Sequence, residues 1–362
     1  MKTKTIITIC LLFALAACAP AQIEPIKIGY FGPATGPVSY SGAPIKEAFE
    51  LAFSQMPEAN GRPIQVIFED DKCDPKEAVT VATKLLDVDN VDILVSGVCS
   101  GSTLAVAPIA QERKAILISP AAASPKITTA GDFVFRLASS SELMAAETVK
   151  AMQKLGIKKV AVLYENNAYT AGWNDAFAKH FADIGTVVAS EMYDGPTSDV
   201  RTSLTKFEQA SPDAILLLPL AAPSANNLLK QYKELGLKTQ LIGSEAMGFK
   251  AVLPNEPEGM LVLTYDFDLN SPEMQKMLSG YQSKFGKNVT EEIYGALGYD
   301  TYNVLQTAIN ACGDDTECIK QKLNNLGTVT GASGTFHLDE NGDAIHSFVL
   351  RKAQNSKLAS ID

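Results

Sequence analysis

The chain has 362 residues, 46% of them hydrophobic and 20% charged, which is the composition of a folded protein long enough for two domains. The formal net charge of −10 and the lack of a basic patch interleaved with aromatic residues argue against a nucleic-acid partner. Neither a G-x-G-x-x-G motif nor a Walker A motif occurs, so no cofactor is expected.

The N-terminus has the features of an export signal. Lys2 and Lys4 precede an apolar run, residues 6–17, that is too short to span a bilayer as a helix. The run ends in Leu15-Ala-Ala-Cys18, which resembles the lipobox of bacterial lipoproteins, where cleavage precedes the cysteine and its thiol is acylated. An ordinary signal peptide with a chance cysteine is the alternative. We predict a lipoprotein signal peptide over residues 1–17 and a lipid anchor at Cys18, on the periplasmic or extracellular face of the bacterial cell envelope.

Four cysteines remain after the apolar run, which contains Cys10, and the predicted anchor: Cys73, Cys99, Cys312 and Cys318. Four cysteines in an exported chain favour disulfides, and they allow three pairings. Sequence separation favours Cys73–Cys99 together with Cys312–Cys318. A zinc site is rejected because there is no C-x-x-C pair and the three histidines are scattered.

The first third of the chain alternates strands and helices. Apolar strands are predicted over residues 26–30, 64–68, 92–97 and 115–119, and helices over about 44–56, from Pro75 onward, and over about 102–112. Such alternation indicates a parallel, doubly wound sheet. The strand beginning at Asp92 enters its helix through small, hydroxyl-bearing residues, which leaves free backbone N–H groups that suit an anion. The strand at 115–119 ends in a second small-residue turn, residues 120–124, at the same predicted edge, where ligands bind.

The alternation then restarts and indicates a second lobe facing the same cleft. Helices are predicted over about 142–155, 173–184, 200–209 (capped by Asp199) and 225–235, with strands at 159–164, near 187, at 214–218, 241–243 and 260–263. Three further helices are predicted over 272–285, 293–311 and 316–326. A terminal hairpin of residues 334–337 and 346–351 is predicted from the Asn341-Gly342 turn signal between them.

Four stretches carry a family resemblance: Ile28-Gly-Tyr-Phe-Gly-Pro-Ala-Thr-Gly-Pro, Phe68-Glu-Asp-Asp-Lys-Cys-Asp-Pro, Gly97-Val-Cys-Ser-Gly-Ser-Thr and Ile118-Ser-Pro-Ala-Ala. In this order and spacing they resemble the leucine/isoleucine/valine-binding protein family, the type I periplasmic binding proteins of branched-chain amino acid ABC transporters. The resemblance covers residues 26–352 and implies an α/β fold of two Rossmann-like lobes with parallel sheets and three crossovers. Lobe 1 would hold residues 24–138 and 267–333, and lobe 2 would hold 139–266 and 334–362. The family also has a disulfide that corresponds to Cys73–Cys99.

The resemblance also implies which residues of lobe 1 bind an amino acid. The serine after the second cysteine of the motif donates to the ligand carboxylate, which assigns that role to Ser100. The next turn uses a backbone carbonyl for the ammonium, which is the position of Ala121, and a threonine for the carboxylate, which is the position of Ala123. This departure leaves the N–H of Ala123 as a donor, with the hydroxyl of Ser124 as an alternative.

Lobe 2 would supply an aromatic side chain and a carboxylate. Residues 164–172 resemble the family's turn whose aromatic closes over the ligand, which assigns Tyr169. Residues 242–245 resemble the turn whose glutamate meets the ammonium, which assigns Glu245. A second aromatic of the family is missing, because residues 219–223 stand in its place, and Ser41 stands where an aromatic is frequent. The pocket around the ligand side chain is therefore expected to differ from that of the family.

The predicted function is an extracytoplasmic, lipid-anchored substrate-binding protein of an ABC importer, which binds a branched-chain or related amino acid between its lobes. Its expected partners are the ligand and the membrane permease subunits, and the protein is expected to be a monomer and not an enzyme. A ligand-sensing lipoprotein with the same fold is one alternative. A hydrolase with Cys99 as nucleophile is another, because Gly97-Val-Cys-Ser-Gly101 has the form of a nucleophile elbow.

Overall fold

The computed structural model describes residues 24–361, so the predicted signal peptide and Cys18 lie outside the described part of the chain. Within residues 24–361, no helix has both the length and the apolar character required to cross a membrane. The same residues contain no group of three or more His, Cys, Asp or Glu side chains placed to hold a metal ion.

The first lobe is built on a six-stranded sheet. Its elements are β1 (Ile26–Gly32), α1 (Ser39–Gln55), β2 (Glu58–Ala59), β3 (Arg62–Asp70), α2 (Pro75–Asp87), β4 (Ile93–Ser96), α3 (Ser100–Arg113), β5 (Ile116–Ser119) and β6 (Val134–Arg136). The strand order is β2-β3-β1-β4-β5-β6, with parallel neighbours except for the short β2. The order reverses between β1 and β4, and open α/β sheets bind ligands outside the carboxyl ends of their strands at such a point.

The second lobe repeats this arrangement. It contains α4 (Ser141–Lys154), β7 (Lys159–Glu165), α5 (Ala168–Phe181), β8 (Thr186–Tyr193), α6 (Arg201–Gln209), β9 (Ala214–Leu218), α7 (Ala222–Glu234), β10 (Gln240–Gly243) and β11 (Leu261–Tyr265). Its five strands run in the order β8-β7-β9-β10-β11 and are all parallel. The order again reverses beside the first strand, so each lobe offers a ligand-binding edge.

The C-terminal part of the chain contributes to both lobes. It contains α8 (Pro272–Phe285), α9 (Glu292–Cys312), α10 (Thr316–Asn324), β12 (Thr328–Gly331), β13 (Gly334–Leu338), β14 (Ala344–Ile345), β15 (Phe348–Gln354) and β16 (Lys357–Ser360). Helix α9 packs on α1 so closely that a Cβ at Gly298 would lie 2.2 Å from the carbonyl oxygen of Ile45. Strands β15 and β16 extend the second sheet in antiparallel fashion. These findings confirm the predicted α/β class with two lobes.

Three segments connect the lobes: residues 137–140, residues 266–271, and the region of the small sheet β12-β13-β14. The first and third are held together by buried polar contacts. Arg136 donates to Asp343 at 2.5 Å and to the carbonyl of Ser124 at 2.7 Å. His346 Nε2 donates to the carbonyl of Leu137 at 2.8 Å. The residue limits that the sequence predicted for each lobe stay a prediction.

The terminal hairpin differs from the predicted one. The turn at residues 339–342 connects β13 to the two-residue β14, so the turn was predicted correctly but its partner strand was wrong. The second predicted strand is β15, which pairs with β11 and β16 instead. The true terminal hairpin turns at Asn355 and Ser356, whose φ angles are 52° and 57°. Two successive positive φ angles form the two-residue turn that matches the twist of paired strands.

Two helices begin earlier than the sequence predicted. Helix α5 begins at Ala168 and not at Trp173, because the Asn167 side chain accepts from the N–H groups of Tyr169 and Thr170. This N-cap places Tyr169 in the first turn of a helix. Helix α1 begins at Ser39 and contains Pro44, which was predicted to open it. Pro44 lies in the second turn, where it lacks the N–H that would otherwise donate to the carbonyl of Tyr40, so the helix continues past it at the cost of one hydrogen bond.

Both disulfides favoured by the sequence are present, Cys73–Cys99 and Cys312–Cys318. The first links the loop after β3 to the start of α3. Because Cys99 is bonded through its sulfur, it is not a thiolate in this structure. A cysteine nucleophile requires a free thiolate, so the structure gives no support to the hydrolase alternative.

Candidate functional site

The carboxyl ends of β4 and β5 are joined by serine hydroxyls. Ser119 Oγ donates to the carbonyl of Ser96 at 2.8 Å and accepts from the N–H of Ala122 at 3.0 Å. The hydroxyl of Ser96 pairs in turn with that of Thr103, in α3, at 2.9 Å. The two turns that were predicted to share an edge are therefore one hydrogen-bonded unit. This unit holds Ser100 beside residues 120–124.

Ser100 lies in the first turn of α3 and is 5% exposed. Its Oγ accepts from the N–H of Ala123 at 3.2 Å and from the N–H of Ser124 at 3.1 Å. Within residues 24–361 no acceptor receives its own proton, so Ser100 keeps a hydroxyl donor for a ligand. Two N–H groups that donate to the same oxygen polarise the hydroxyl and strengthen it as a donor.

Backbone groups at the start of α3 add to this donor. The N-cap residue is Cys99, which makes no side-chain cap hydrogen bond and is bonded to Cys73. Helices α4 and α5, in contrast, are capped by the side chains of Ser140 and Asn167. The first-turn N–H groups of α3 therefore have no side-chain acceptor from the cap. These groups and the positive end of the helix dipole favour an anion at this position.

The turn after β5 uses most of its backbone groups internally. The N–H of Ala123, which the sequence predicted as a ligand donor, donates instead to Ser100 Oγ, because the two turns lie in hydrogen-bonding contact. The carbonyl of Ala123 accepts from the N–H of Ser141 at 2.7 Å. The carbonyl of Ala121 accepts no hydrogen bond from any residue between 24 and 361. Ala121 is thus free for its predicted role, whereas Ala123 holds the turn together.

Tyr169 and Glu245 are in direct contact in the second lobe. The Tyr169 hydroxyl lies 2.6 Å from Oε1 and 2.8 Å from Oε2 of Glu245, and donates to this carboxylate. Its ring packs edge-on against Trp173 with centroids 5.7 Å apart, which leaves Tyr169 only 7% exposed. Tyr169 therefore orients the carboxylate, in addition to its predicted place as an aromatic wall.

Glu245 is a carboxylate surrounded by tyrosines. Burial raises its pKa from 4.5 to about 6, while hydrogen bonds from Tyr169 and Tyr294 oppose that rise. Burial, and secondarily the charge of Glu245, raise the pKa of Tyr169, Tyr265 and Tyr294. All three tyrosines therefore remain neutral near neutral pH. A partly buried carboxylate with aromatic neighbours suits an ammonium group, because that cation supplies the charge partner that Glu245 does not find among residues 24–361.

The two lobes touch around this region. A Cβ at Gly172, in α5, would lie 2.5 Å from Pro125 of the first lobe, so the absence of a side chain permits the contact. On the other side, Glu291 accepts from the Tyr40 hydroxyl at 2.7 Å and from the N–H of Lys250 at 2.9 Å. Because Lys250 belongs to the second lobe, this contact crosses the cleft. The two lobes are thus in contact on both sides of this region.

A cavity of about 400 Å³ borders Glu245 on the side of the segment 266–271. Its walls are mainly apolar and include Phe249, Tyr265, Phe267 and Ile293. Ser100, Ala121, Ala123 and Tyr169 are not among its lining residues. The cavity therefore adjoins the predicted site without coinciding with it.

Sequence reasoning missed several residues of this region. Tyr294 and Glu291 lie at the start of α9, which the sequence analysis predicted as a helix without assigning any of its residues to the site. Tyr265 ends β11, and Tyr40 lies in α1. The position of Tyr265 at the carboxyl end of a parallel strand was a signal that could have been used. For the residues of α9 there was no comparable signal, because their place in the cleft depends on helix packing.

The sequence profile described as periplasmic binding protein matches residues 25–357. A curated relative is the leucine-, isoleucine-, valine-, threonine- and alanine-binding protein of Pseudomonas aeruginosa, which is 28% identical over 332 residues, 88% of this chain and 87% of the relative. These matches extend over nearly all of the described residues and include both lobes.

Solved structures of binding proteins also superimpose on nearly all of this chain. A leucine binding protein from Thermotoga maritima superimposes with a TM-score of 0.84 at 27% identity, over 92% of this chain and 97% of the other. A solute binding protein of an ABC transporter from R. palustris, in complex with benzoate, superimposes with a TM-score of 0.83 at 24% identity, over 93% and 95%. The second likeness concerns the fold alone. Proteins of this fold thus include one in complex with an acid that has no ammonium group.

Proposed function

Since this chain belongs to the periplasmic binding protein family, we propose that it is the extracytoplasmic substrate-binding protein of an ABC importer and binds an α-amino acid between its lobes. The observation that supports the proposal is that each lobe carries one polar site near the place where the lobes touch, and that the two sites suit opposite charges. Ser100 and the start of α3 form a site for an anion, and Glu245 with its tyrosines forms a site for a cation. A zwitterion presents both charges to these two sites.

The carboxylate of the ligand meets the hydroxyl of Ser100 and the first N–H groups of α3. These donors require no rearrangement, because Ser100 is held by the N–H groups of Ala123 and Ser124. Charge-assisted hydrogen bonds of this kind are stronger than neutral ones. The threonine hydroxyl of the family is replaced by Ala123, so backbone groups carry a larger share of the binding.

The ammonium group of the ligand meets Glu245 and the free carbonyl of Ala121. Tyr169 donates its single proton to the carboxylate of Glu245 and leaves further lone pairs on that carboxylate for the ammonium. An ammonium beside Glu245 lowers the pKa of that carboxyl and stabilises its ionised form. A ligand without a cationic group, such as a benzoate, would leave this carboxylate unpaired. An amino acid is therefore favoured over an aromatic acid.

Delivery and anchoring complete the proposal. The lipobox at Cys18 would tether the protein to the membrane, and the closed lobes would dock on the permease subunits. A sensory lipoprotein that passes the same ligand signal to a receptor uses the same site and remains the second candidate. Uptake of a labelled amino acid by cells lacking the gene separates the two: transport requires the protein, whereas sensing does not.

A thermal-shift screen of the mature domain tests the ligand class. The twenty amino acids, their amides, and benzoate are each added at a high, equal concentration. A ligand at one hundred times its dissociation constant adds about 2.7 kcal/mol of stability. We expect shifts with one or more free amino acids and none with the corresponding amides or benzoate. Stabilisation by benzoate alone would contradict the proposed ammonium site.

A further inference from the structure

Four serine hydroxyls at the cleft are buried and have no hydrogen-bond partner among residues 24–361. Ser41 is 1% exposed, and Ser124, Ser141 and Ser244 are 0% exposed. A buried hydroxyl without a partner is unfavourable, because it has lost its hydrogen bonds to water and gained none in exchange. Such groups are rare in folded proteins, so four of them around one cleft call for a physical explanation.

Other buried hydroxyls of the described chain do have partners. Those that donate or accept within the fold include Ser96, Ser119, Ser139, Thr148, Thr170 and Thr301. Two further hydroxyls without a partner, those of Tyr30 and Ser102, are not part of the argument. Ser102 lies beside Asp71 and lowers the pKa of that carboxyl. The lack of partners is therefore not a general property of this fold. Four of the six hydroxyls without a partner among residues 24–361, those of Ser41, Ser124, Ser141 and Ser244, belong to segments that adjoin the proposed binding site.

Each of the four serines is connected to a residue already placed at the site. The N–H of Ser124 donates to Ser100 Oγ, and the N–H of Ser141 donates to the carbonyl of Ala123. Ser244 directly precedes Glu245. The Ser124 hydroxyl also lies 3.5 Å from the position that a Cβ would take at Gly172, which places it where the lobes meet.

Ser41 is connected to the cleft through its neighbour in α1. Tyr40 donates to Glu291, which also accepts from the N–H of Lys250 across the cleft. Ser41 is therefore next to a contact that joins the two lobes. The four hydroxyls thus belong to segments of both lobes that adjoin Ser100, Glu245 and the contact between Glu291 and Lys250.

A simple zwitterion does not require all of these hydroxyls. Its carboxylate is met by Ser100 and the start of α3, with Ser124 as a further donor, and its ammonium is met by Glu245 and the carbonyl of Ala121. An aliphatic side chain would leave the remaining hydroxyls buried against methyl groups. A side chain with its own hydroxyl or carboxamide would donate to or accept from them.

We infer that the ligand carries a hydroxyl or carboxamide on its side chain, and that Ser41, Ser141 and Ser244 supply hydrogen bonds that select it over an aliphatic amino acid of the same shape. The inference rests on the proposed function and names the class of amino acid within it. A site built to bond a polar group discriminates strongly against an analogue that lacks it, because the groups of the site are then left unpaired.

The test compares ligands that match in shape and differ in polarity. Calorimetry measures the dissociation constants of threonine and valine, and of asparagine and leucine, with the mature wild-type protein. We expect threonine and asparagine each to bind at least about tenfold more tightly than their partner, the factor that corresponds to one hydrogen bond of about 1.4 kcal/mol.

The variants Ser41→Ala, Ser141→Ala and Ser244→Ala test which hydroxyl acts. In at least one of these variants, the ratio of the affinity for threonine to the affinity for valine should fall several-fold. The melting temperature of the ligand-free variant should stay equal or rise, because a buried hydroxyl without a partner is lost. Ser279→Ala, at an exposed position of α8, is the control and should keep the wild-type ratio.

The outcomes separate the two proposals. A polar preference that one of the variants removes supports the inference. Valine and leucine that bind as tightly as threonine and asparagine, or more tightly, would overturn it and leave amino-acid binding intact. No binding by any free amino acid would overturn the proposed function and the inference together. A polar preference that all three variants retain would show that these serines do not select the ligand.

Discussion

Glu245→Gln is expected to stabilise the ligand-free protein and to weaken its binding. Glutamine keeps the shape of the side chain, and its amide oxygen can still accept from Tyr169. The carboxylate has its pKa raised from 4.5 to about 6 by burial. In the folded protein its ionisation therefore costs about 2 kcal/mol more than in the unfolded chain. Because the pKa of this carboxyl is higher in the folded state, its protonated form favours folding. This contribution to the free energy of unfolding is lost as the pH rises from about 4.5 through about 6.

The variant should therefore be up to about 2 kcal/mol more stable than wild type at pH 8, and little different at pH 4, where the carboxyl is protonated in both states. For a chain of this length the gain corresponds to a rise in melting temperature of about 2–4 °C. Calorimetric melting of the ligand-free proteins at both pH values measures it. Glu112→Gln, which removes an exposed carboxylate of α3, is the matched control and should not shift the melting temperature.

The same substitution removes the charge that an ammonium group requires. A hydrogen bond to a charged group contributes roughly 1.5–3 kcal/mol, so affinity for a zwitterionic amino acid should fall roughly 10- to 150-fold. Titration calorimetry at pH 8 measures this loss. A glutamine variant that binds as tightly as wild type would refute the assignment of Glu245 to the ammonium. A variant that is no more stable at pH 8 would refute the argument from burial.

Three further outcomes are expected. Wild-type affinity should fall about tenfold per pH unit below about 6, as Glu245 is protonated, whereas the glutamine variant should show no such dependence in calorimetry between pH 5 and 8. Gly172→Val should prevent closure, because its side chain would overlap with the first lobe. Small-angle scattering of the variant should then show no decrease in radius of gyration when ligand is added, and a decrease as large as that of the wild-type protein would contradict this. Cys99→Ser removes a disulfide with a sequence separation of 26 and should lower the free energy of unfolding by about 3–4 kcal/mol. Cys318→Ser removes one with a separation of 6 and should lower it by about 2 kcal/mol. Chemical denaturation measures both losses, and equal losses would argue against the loop-entropy reasoning.

Much of the fold could be predicted from sequence because the local signals agreed with one another. The strand ending at Ser119 and the helix beginning at Pro75 were read from apolar runs and a proline at the first helical position. Where signals were weaker, boundaries moved: Asn167 is an N-cap that the sequence analysis passed over, and α5 begins five residues earlier than predicted. The terminal hairpin was wrong because a turn signal specifies a reversal of the chain and does not specify which later strand pairs with it.

The residues of the candidate site came from the family resemblance. The roles that the family resemblance implies for Ser100, Ala121, Tyr169 and Glu245 stay predictions, and the structure adds the hydrogen bonds of Ser100 and of the Tyr169–Glu245 pair. The resemblance did not indicate that Tyr169 would bond Glu245, since the two residues are 76 positions apart in the chain. It also assigned the N–H of Ala123 to the ligand, whereas the structure assigns it to Ser100.

The sequence by itself determined the two α/β series, the disulfide partners and the residues at the ends of the parallel strands, because these follow from local periodicity, turn chemistry and separation along the chain. The tertiary structure alone decided which distant groups meet. Burial raises the pKa of Glu245 against the opposing hydrogen bonds from Tyr169 and Tyr294. Packing of α9 on α1 brings Tyr294 and Glu291 to the cleft. Such contacts depend on how whole elements pack against each other, and desolvation is a property of the assembled cleft that no local stretch of sequence contains.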